Sequence, residues 1–137
     1  MSETTPRSEA TPDSGATPKI DFDKMDGLVA GIVQDARTGE VLMLGFLNPT
    51  SYARTMETGF VTFWSRTRQK LWMKGETSGN RLRVISASTD CDTDTLLFKV
   101  EVEGDGLVCH EGTVSCFTRP VAMNKKEGEN LKGENRG

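Results

Sequence analysis

The chain has 137 residues and a formal net charge of −3, and 35% of its residues are hydrophobic. This length fits one domain, and the acidic balance disfavours a general nucleic-acid coat protein, which would be strongly basic. Three cysteines and one histidine are too few for a disulfide scaffold and exclude a site that needs two imidazoles from one chain. No apolar run approaches the ~20 residues of a membrane span. The N-terminus lacks a secretory signal, so we expect a cytoplasmic protein without membrane contacts.

The two ends of the chain differ in composition from its middle. Residues 1–19 contain three of the five prolines, and residues 124–137 are polar and interrupted by glycine. Segments of this composition cannot bury enough apolar surface to offset the entropy cost of ordering them. We therefore predict a disordered N-terminal tail over 1–19, one folded domain over 20–123 and a flexible C-terminal tail over 124–137.

Several short apolar runs in the folded segment predict β-strands. The first two should form a hairpin, with Gly39 available for the turn, and Leu107-Val108 should begin a last strand. The main runs are Leu28–Val33, Val41–Leu47, Phe60–Trp64, Lys70–Lys74, Leu82–Ala87 and Leu96–Val102.

One helix is predicted between the second and third strands. Asn48 is a typical N-cap, Pro49 suits the first helical position and Gly59 ends the helix, so it should run from Pro49 to about Thr58. Tyr52 and Met56 would then share one face. One helix among six or seven strands predicts the α+β class, with a mostly antiparallel β-sheet of roll-like or barrel-like shape.

Three carboxylates, Asp90, Asp92 and Asp94, alternate with Cys91 and one threonine. In an extended strand they would share a face and repel each other unless a cation neutralised them. Oxygen ligands of this kind suit Mg²⁺ or Ca²⁺, and a solvated acidic turn is the alternative. Their spacing also matches a calcium-binding EF-hand loop, but Thr95 stands where that loop needs glycine and the flanks predict strands. We therefore reject an EF-hand.

The three thiols, Cys91, Cys109 and Cys116, lie too far apart in sequence to form a CxxC pair. A catalytic zinc takes three protein ligands and leaves one position for water, which matches three cysteines by count. His110 could close the site as a fourth ligand, but neighbours in an extended segment point apart. We favour three thiolates with His110 nearby as an acid, a base or a substrate contact. Three unrelated thiols and a surface histidine are the alternative.

The segment from Trp64 to Arg83 holds six basic residues and one acidic residue. Arginine side chains, hydroxyls and backbone N–H groups next to glycine are typical of phosphate sites. The mixture of aromatic and basic residues also fits single-stranded nucleic acid, and a basic hairpin on the surface is a further alternative.

Five motifs occur together in a specific order and spacing. They are Trp64-Ser-Arg-Thr-Arg68, Lys74-Gly-Glu-Thr-Ser-Gly-Asn80, Asp90-Cys-Asp-Thr-Asp94, Cys109-His110 and Ser115-Cys-Phe117. In this combination the chain resembles the phosphoribosyl-AMP cyclohydrolase family of histidine biosynthesis, in its stand-alone form, over about residues 25–118. The family also occurs fused to a C-terminal phosphoribosyl-ATP pyrophosphohydrolase domain. Few residues follow Cys116, so we expect that second activity to be absent.

The resemblance implies two metal ions and an obligate homodimer. It implies that Cys91, Cys109 and Cys116 bind Zn²⁺, with ligands from both subunits, and that Asp90, Asp92 and Asp94 bind Mg²⁺. It also implies that the basic segment contacts a substrate with two phosphates. The candidate substrate-binding residues are Trp64, Ser65, Arg66, Arg68, Lys74, Thr77, Ser78, Gly79 and Asn80.

The reaction implied by the resemblance is the zinc-dependent hydrolytic opening of a purine ring. The bond broken would be C6–N1 of 1-(5-phosphoribosyl)-AMP, after attack of zinc-bound hydroxide at C6. We expect His110 to be the catalytic residue that takes the proton from the water.

Two other interpretations compete with a zinc hydrolase. A small nucleic-acid-binding β domain with structural zinc on the three cysteines and His110 would leave the aspartates unexplained, because carboxylates repel phosphate. A metal-independent structural domain would contain no zinc. We favour the hydrolase, acting on a phosphorylated nucleotide and without a nucleic-acid partner.

Overall fold

The computed structural model describes residues 18–123. Most of the two predicted tails, residues 1–17 and 124–137, therefore lies outside the described residues. Within residues 18–123, no helix is long and apolar enough to cross a membrane. The helix and strands of this range are β1 (Val29–Asp35), β2 (Val41–Leu47), α1 (Pro49–Thr58), β3 (Thr62–Ser65), β4 (Lys70–Met73), β5 (Leu82–Thr89) and β6 (Thr95–Val102).

The strands form a four-stranded sheet in the order β2-β1-β6-β5 and a separate hairpin of β3 and β4. The β1–β2, β3–β4 and β5–β6 pairs are antiparallel, and β1 pairs with β6 in parallel. This confirms the predicted α+β class with one helix and a mostly antiparallel sheet. The sheet is not a closed barrel, because β2 and β5 lie at its opposite edges, and the predicted barrel-like closure is wrong.

The predicted strand at Leu107-Val108 is also wrong. The described chain after Val102 is a loop without strand pairing. Gly104, Gly106 and Gly112 have φ values of 70°, 79° and 83°, and this left-handed conformation interrupts extended backbone. Val108, only 3% exposed, anchors the loop in the core instead.

Helix α1 begins and ends at the predicted residues because its signals are local. Asn48 Oδ1 accepts a hydrogen bond from the Ser51 N–H (2.8 Å) while the Asn48 N–H donates to Ser51 Oγ (3.0 Å), which is a capping box. Its buried positions are Ser51 and Thr55. Tyr52 and Met56 share one face, as predicted; Tyr52 packs against the core, and Met56 is 46% exposed. Thr55 links the helix to β3, because its Oγ1 accepts from the Thr62 N–H at 2.9 Å.

The two sheets are joined where Phe63 packs on a pair of glycines. Gly31 of β1 and Gly45 of β2 are partners across the strands, and the fully buried Phe63 ring of β3 lies over them. A Cβ atom at Gly45 would lie 2.6 Å from this ring, far inside van der Waals contact. The glycines therefore let the β3–β4 hairpin sit directly on the sheet and fix where its basic residues are presented.

Candidate active site

A cleft of about 530 Å³ lies between the β3–β4 hairpin with the loop after it and the loop that follows β6. Basic, hydroxyl and aromatic side chains of the hairpin line one part, and Cys109 and His110 line another. The lining residues are Arg68, Lys70, Leu71, Trp72, Met73, Lys74, Gly75, Glu76, Thr77, Ser78, Asn80, Leu107, Val108, Cys109, His110 and Gly112.

The structure divides the predicted substrate-binding residues into two groups. Five of them line the cleft, and four do not. Those in the cleft are Arg68, Lys74, Thr77, Ser78 and Asn80. Those outside it are Trp64, Ser65, Arg66 and Gly79. Arg66 instead places its guanidinium carbon 4.3 Å from the centroid of the Phe46 ring, a cation–π contact.

The structure also adds residues that the sequence interpretation did not single out. Lys70 and Trp72 line the cleft, and Trp72 is 37% exposed. The Lys74 ammonium lies 5.3 Å from the centroid of the Trp72 ring. The signal that could have found both residues is their place in the same basic segment as Arg68 and Lys74.

The remaining arginines of the basic segment are neutralised by carboxylates of β6 and the residue after it. Arg81 pairs with Glu103 at 3.0 Å and lies over the Phe60 ring, and Arg83 pairs with Glu101. The positive charge of the cleft therefore comes from Arg68, Lys70 and Lys74.

The side chains of Cys109 and Cys116 lie close enough for each to shift the pKa of the other. The loop closes because the Cys109 N–H donates to Thr113 O (3.1 Å) and the Gly112 N–H donates to Cys109 O (2.9 Å). Its far end is fixed to the edge of the sheet, where the Cys116 N–H donates to Leu42 O at 2.7 Å. Ser115 Oγ adds a hydrogen bond to Val41 O at 2.8 Å. Strand β2 therefore fixes the Cys116 end of the loop, and the bonds within the loop turn Cys109 back towards it.

The two thiols have opposite pKa shifts. The backbone N–H of Glu111 lowers the pKa of Cys109 by stabilising its thiolate, and the Thr113 hydroxyl and Cys116 thiol act in the same direction against partial desolvation. Desolvation raises the pKa of Cys116, as does its contact with Cys109. Cys109 is therefore the first of the pair to ionise, and a cation would be needed to hold both as thiolates.

The ligand oxygens of Asp90, Asp92 and Asp94 lie within 4.8 Å of one another. The predicted extended strand is wrong, because residues 91–94 form a turn in which Thr93 has a φ of 57°. The turn nevertheless gathers the carboxylates, since the Asp94 N–H donates to Asp90 Oδ1 at 3.1 Å. Within the described chain, this is the group of three metal-ligating side chains that the fold assembles.

Hydrogen bonding and one nearby lysine stabilise the charge of this acidic turn. Desolvation opposes ionisation of Asp90, but hydrogen bonds from Asp94 and Thr95 outweigh it and lower the pKa of Asp90. Lys24 approaches from the turn before β1, with Nζ 3.1 Å from Asp92 O and 3.6 Å from Asp94 Oδ2. An ammonium group thus stands at the edge of the carboxylate cluster.

Cys91 does not join Cys109 and Cys116 within one chain. It lies exposed in the acidic turn before β6, whereas Cys109 follows β6. The eight residues of β6 span roughly 25 Å at the usual rise of an extended strand. The three thiols therefore do not converge on a common point within residues 18–123 of one chain.

Comparison with known proteins places the chain in a family. A family model described as PRA-CH: Phosphoribosyl-AMP cyclohydrolase matches residues 43–118. The phosphoribosyl-AMP cyclohydrolase of Solibacter usitatus (strain Ellin6076) is 58% identical over 100 residues, which cover 73% of this chain and 79% of the relative. That of Desulfatibacillum aliphaticivorans is 53% identical over 107 residues, which cover 78% and 85%.

A longer relative is the histidine biosynthesis bifunctional protein HisIE of Escherichia coli (strain K12). It is 57% identical over 99 residues, which cover 72% of this chain and 48% of the relative. The fold, the basic cleft and these matches define an enzyme of the hydrolase class. The chain belongs to the phosphoribosyl-AMP cyclohydrolase family of histidine biosynthesis.

Proposed function

We propose that this protein hydrolyses the C6–N1 bond of 1-(5-phosphoribosyl)-AMP and thereby opens the purine ring. The observation that carries the proposal is the cleft that combines three cationic side chains with Cys109 and His110. A nucleotide with two separated phosphates would match this combination of positive charge and hydrolytic groups. Family membership supplies the chemical identity of the substrate.

The basic part of the cleft would bind and orient the substrate. Arg68, Lys70 and Lys74 would hold phosphate oxygens, because charge-assisted hydrogen bonds to phosphate are short and strong. Thr77 and Ser78, which also line the cleft, add hydroxyl donors. This arrangement would place the purine towards Cys109 and His110.

The cysteines fit zinc only when two subunits are combined. Cys109 and Cys116 already lie close together in one chain, and Cys91 is exposed elsewhere on the surface. We infer that Cys91 of a second copy completes the set of three thiolates, which leaves a fourth position free for water. Zinc, when bound, supplies Lewis acidity that lowers the pKa of water towards neutrality.

Proton transfer and ring opening would then depend on residues of the chain. His110, which lines the cleft beside Cys109, would take one proton from the attacking water. The hydroxyl oxygen adds to C6, the C6–N1 bond breaks, and a proton is delivered to N1. Because the broken bond lies within the ring, nothing is released: the single product retains both phosphates, and C6 becomes a carboxamide. Three thiolates temper the acidity of a metal, so a general base is needed here.

The acidic turn fits a magnesium ion. Three carboxylates within 4.8 Å of one another offer the hard oxygen ligands that Mg²⁺ prefers. Because Cys91 lies between Asp90 and Asp92 in sequence, magnesium would also fix the turn that carries this cysteine. We therefore assign the ion to ordering this turn at the subunit contact.

The surface around Cys116 supports an obligate homodimer. Val41 and Leu44 of β2 are 42% and 45% exposed, and Val114 and Phe117 beside Cys116 are 44% and 64% exposed. Large apolar side chains left exposed near one another in this way are typical of contact surfaces. A second copy seated here would cover them and could bring its Cys91 to the sulfur pair.

The test is a turnover assay with 1-(5-phosphoribosyl)-AMP that follows the absorbance change of ring opening. We expect turnover by the zinc-loaded protein, loss after chelation and recovery when zinc is restored. Lys74→Met should raise KM about 10- to 100-fold, since a hydrogen bond to a charged group contributes about 1.5–3 kcal/mol. Lys99→Met is the matched control, because Lys99 is exposed on β6 and does not line the cleft. Absence of turnover by the zinc-loaded parent would refute the proposal.

A further inference from the structure

The side chain of Asn80 connects the two loops that enclose the cleft. Asn80 ends the loop after β4 and is 9% exposed. Its Nδ2 donates to Leu107 O at 3.0 Å, and its Oδ1 accepts from the Asp105 N–H at 2.8 Å. Both partners belong to the loop between β6 and Cys109, 25 and 27 residues along the chain.

This connection matters because the loop after β6 has no strand ladder to hold it. Backbone hydrogen bonds at its two ends are Glu103 N–H to Arg81 O at 2.8 Å and Val108 N–H to Val114 O at 3.3 Å. Between them, the Asn80 amide holds the backbone on both sides of Gly106. Leu107, one of its two partners, precedes Cys109 by two residues.

We propose that Asn80 is a positioning residue for the proposed reaction. By holding the Asp105 N–H and the Leu107 carbonyl, it fixes Cys109 and His110 relative to the phosphate-binding side chains of the cleft. It acts through the loop and not by contact with the reacting atoms, because its oxygen and one of its amide N–H groups are engaged there. This inference rests on the function proposed above.

Gly104 provides an independent way to disturb this contact. A Cβ atom at Gly104 would collide with Asn80 Oδ1 and lie 2.9 Å from Gly79 O. Gly106 lies in the same loop with a similar positive φ, 79° against 70°, and a Cβ there would meet nothing within 4 Å. Alanine at either position carries the same kind of backbone strain, but only Gly104→Ala displaces the Asn80 amide.

The experiment compares Asn80→Ala, Gly104→Ala, Gly106→Ala and the Asn80→Ala/Gly104→Ala double variant in the full chain. The measured quantities are kcat, KM, Tm and the affinity for Co²⁺, read from thiolate-to-cobalt absorption. Asn80→Ala should lower kcat about 10- to 100-fold, since small misplacements of catalytic groups have effects of this size. It should weaken Co²⁺ binding about 10-fold or more while KM changes by less than about 3-fold, because the phosphate ligands are untouched.

Gly104→Ala should resemble Asn80→Ala in kcat and Co²⁺ affinity. Gly106→Ala should resemble the parent in both quantities, although its backbone strain lowers the Tm. The double variant should be no worse than the poorer single variant, because both changes remove one contact. A rise in KM alone would make Asn80 a substrate ligand and overturn the proposal. Additive losses of kcat or Co²⁺ affinity in the double variant would also overturn it, as would equal losses in Gly104→Ala and Gly106→Ala. If Asn80→Ala does not fold, the comparison of Gly104→Ala with Gly106→Ala tests the proposal instead.

The readouts separate this inference from the proposed function. If the parent protein does not turn over 1-(5-phosphoribosyl)-AMP, the proposed function fails. The Co²⁺ titrations of the four variants still support or refute the role of Asn80, because they need no substrate.

Discussion

Two candidate metal sites differ in how completely one chain builds them: the acidic turn, and the loop from Cys109 to Cys116, which we call the thiol loop. The turn of Asp90, Asp92 and Asp94 gathers three ligand oxygens within 4.8 Å of one another. The thiol loop brings Cys109 and Cys116 together, while Cys91 stays in the acidic turn before β6. A cation site formed by neighbours in sequence can be complete in a monomer, whereas the proposed zinc site needs a second subunit.

The largest expected effect is the loss of zinc binding and turnover when a cysteine of the thiol loop is replaced. Cys109→Ser should abolish zinc binding and lower turnover on the order of 10³-fold or more, because loss of a Lewis acid removes several kcal/mol of transition-state stabilisation. Zinc content by elemental analysis and ring-opening rates check this. Stoichiometric zinc with turnover close to that of the parent would exclude Cys109 as a ligand.

The next largest effect concerns cation binding at the acidic turn. Asp92→Asn should weaken binding of Mn²⁺, a paramagnetic substitute for magnesium, about 10-fold or more, because a unit charge at contact distance contributes about 1–4 kcal/mol at effective dielectrics of 80 to 20. Electron paramagnetic resonance titration measures it. Glu57→Gln, on the exposed side of α1, is the control and should leave Mn²⁺ affinity unchanged. If Asp92→Asn binds Mn²⁺ as tightly as the parent, the Asp92 carboxylate is not a ligand of the ion.

The two sulfurs of the metal-free protein should react at different pH values. The pKa of Cys109 is lowered and that of Cys116 is raised relative to 9.0, and only the thiolate is nucleophilic. As the pH rises, iodoacetamide should therefore label Cys109 before Cys116, several-fold faster near pH 8. Mass spectrometry of tryptic peptides gives the two rates. Faster labelling of Cys116 would contradict the opposite pKa shifts of the two thiols.

The smallest effect concerns the ammonium group at the acidic turn. Lys24 competes with a cation there, since its Nζ lies 3.6 Å from Asp94 Oδ2. Its side chain is 44% exposed, and exposed ion pairs contribute at most about 1 kcal/mol, so Lys24→Met should raise Mn²⁺ affinity about 2- to 5-fold. Lower affinity in Lys24→Met would show that Lys24 supports the turn and does not compete with the ion.

The parts of the fold that sequence predicts well are those with local signals. Asn48, Pro49 and Gly59 define α1 because capping needs only neighbouring residues. The parallel pairing of β1 with β6 and the seating of Phe63 on Gly31 and Gly45 depend on residues distant in sequence. No periodicity of a single strand carries that information.

The candidate site shows the same limit. The convergence of the three aspartates follows from their close spacing, although a turn and not a strand brings them together. The contact between Cys109 and Cys116 depends on the docking of Ser115 and Cys116 on the edge of β2. The spacing of six residues between Cys109 and Cys116 does not by itself predict that their side chains approach each other. A ligand supplied by a second copy of the chain leaves no pattern in the sequence.

The most direct test of the shared site is complementation between Cys91→Ser and Cys109→Ser chains. Each variant alone should be inactive. A one-to-one mixture refolded together should regain about one quarter of the parent activity, because random pairing makes half of the dimers mixed and each mixed dimer has one intact site of two. Mixed dimers that form but remain inactive would contradict the shared zinc site and place Cys91 in the site of its own chain, and activity of Cys91→Ser alone would place Cys91 outside the site.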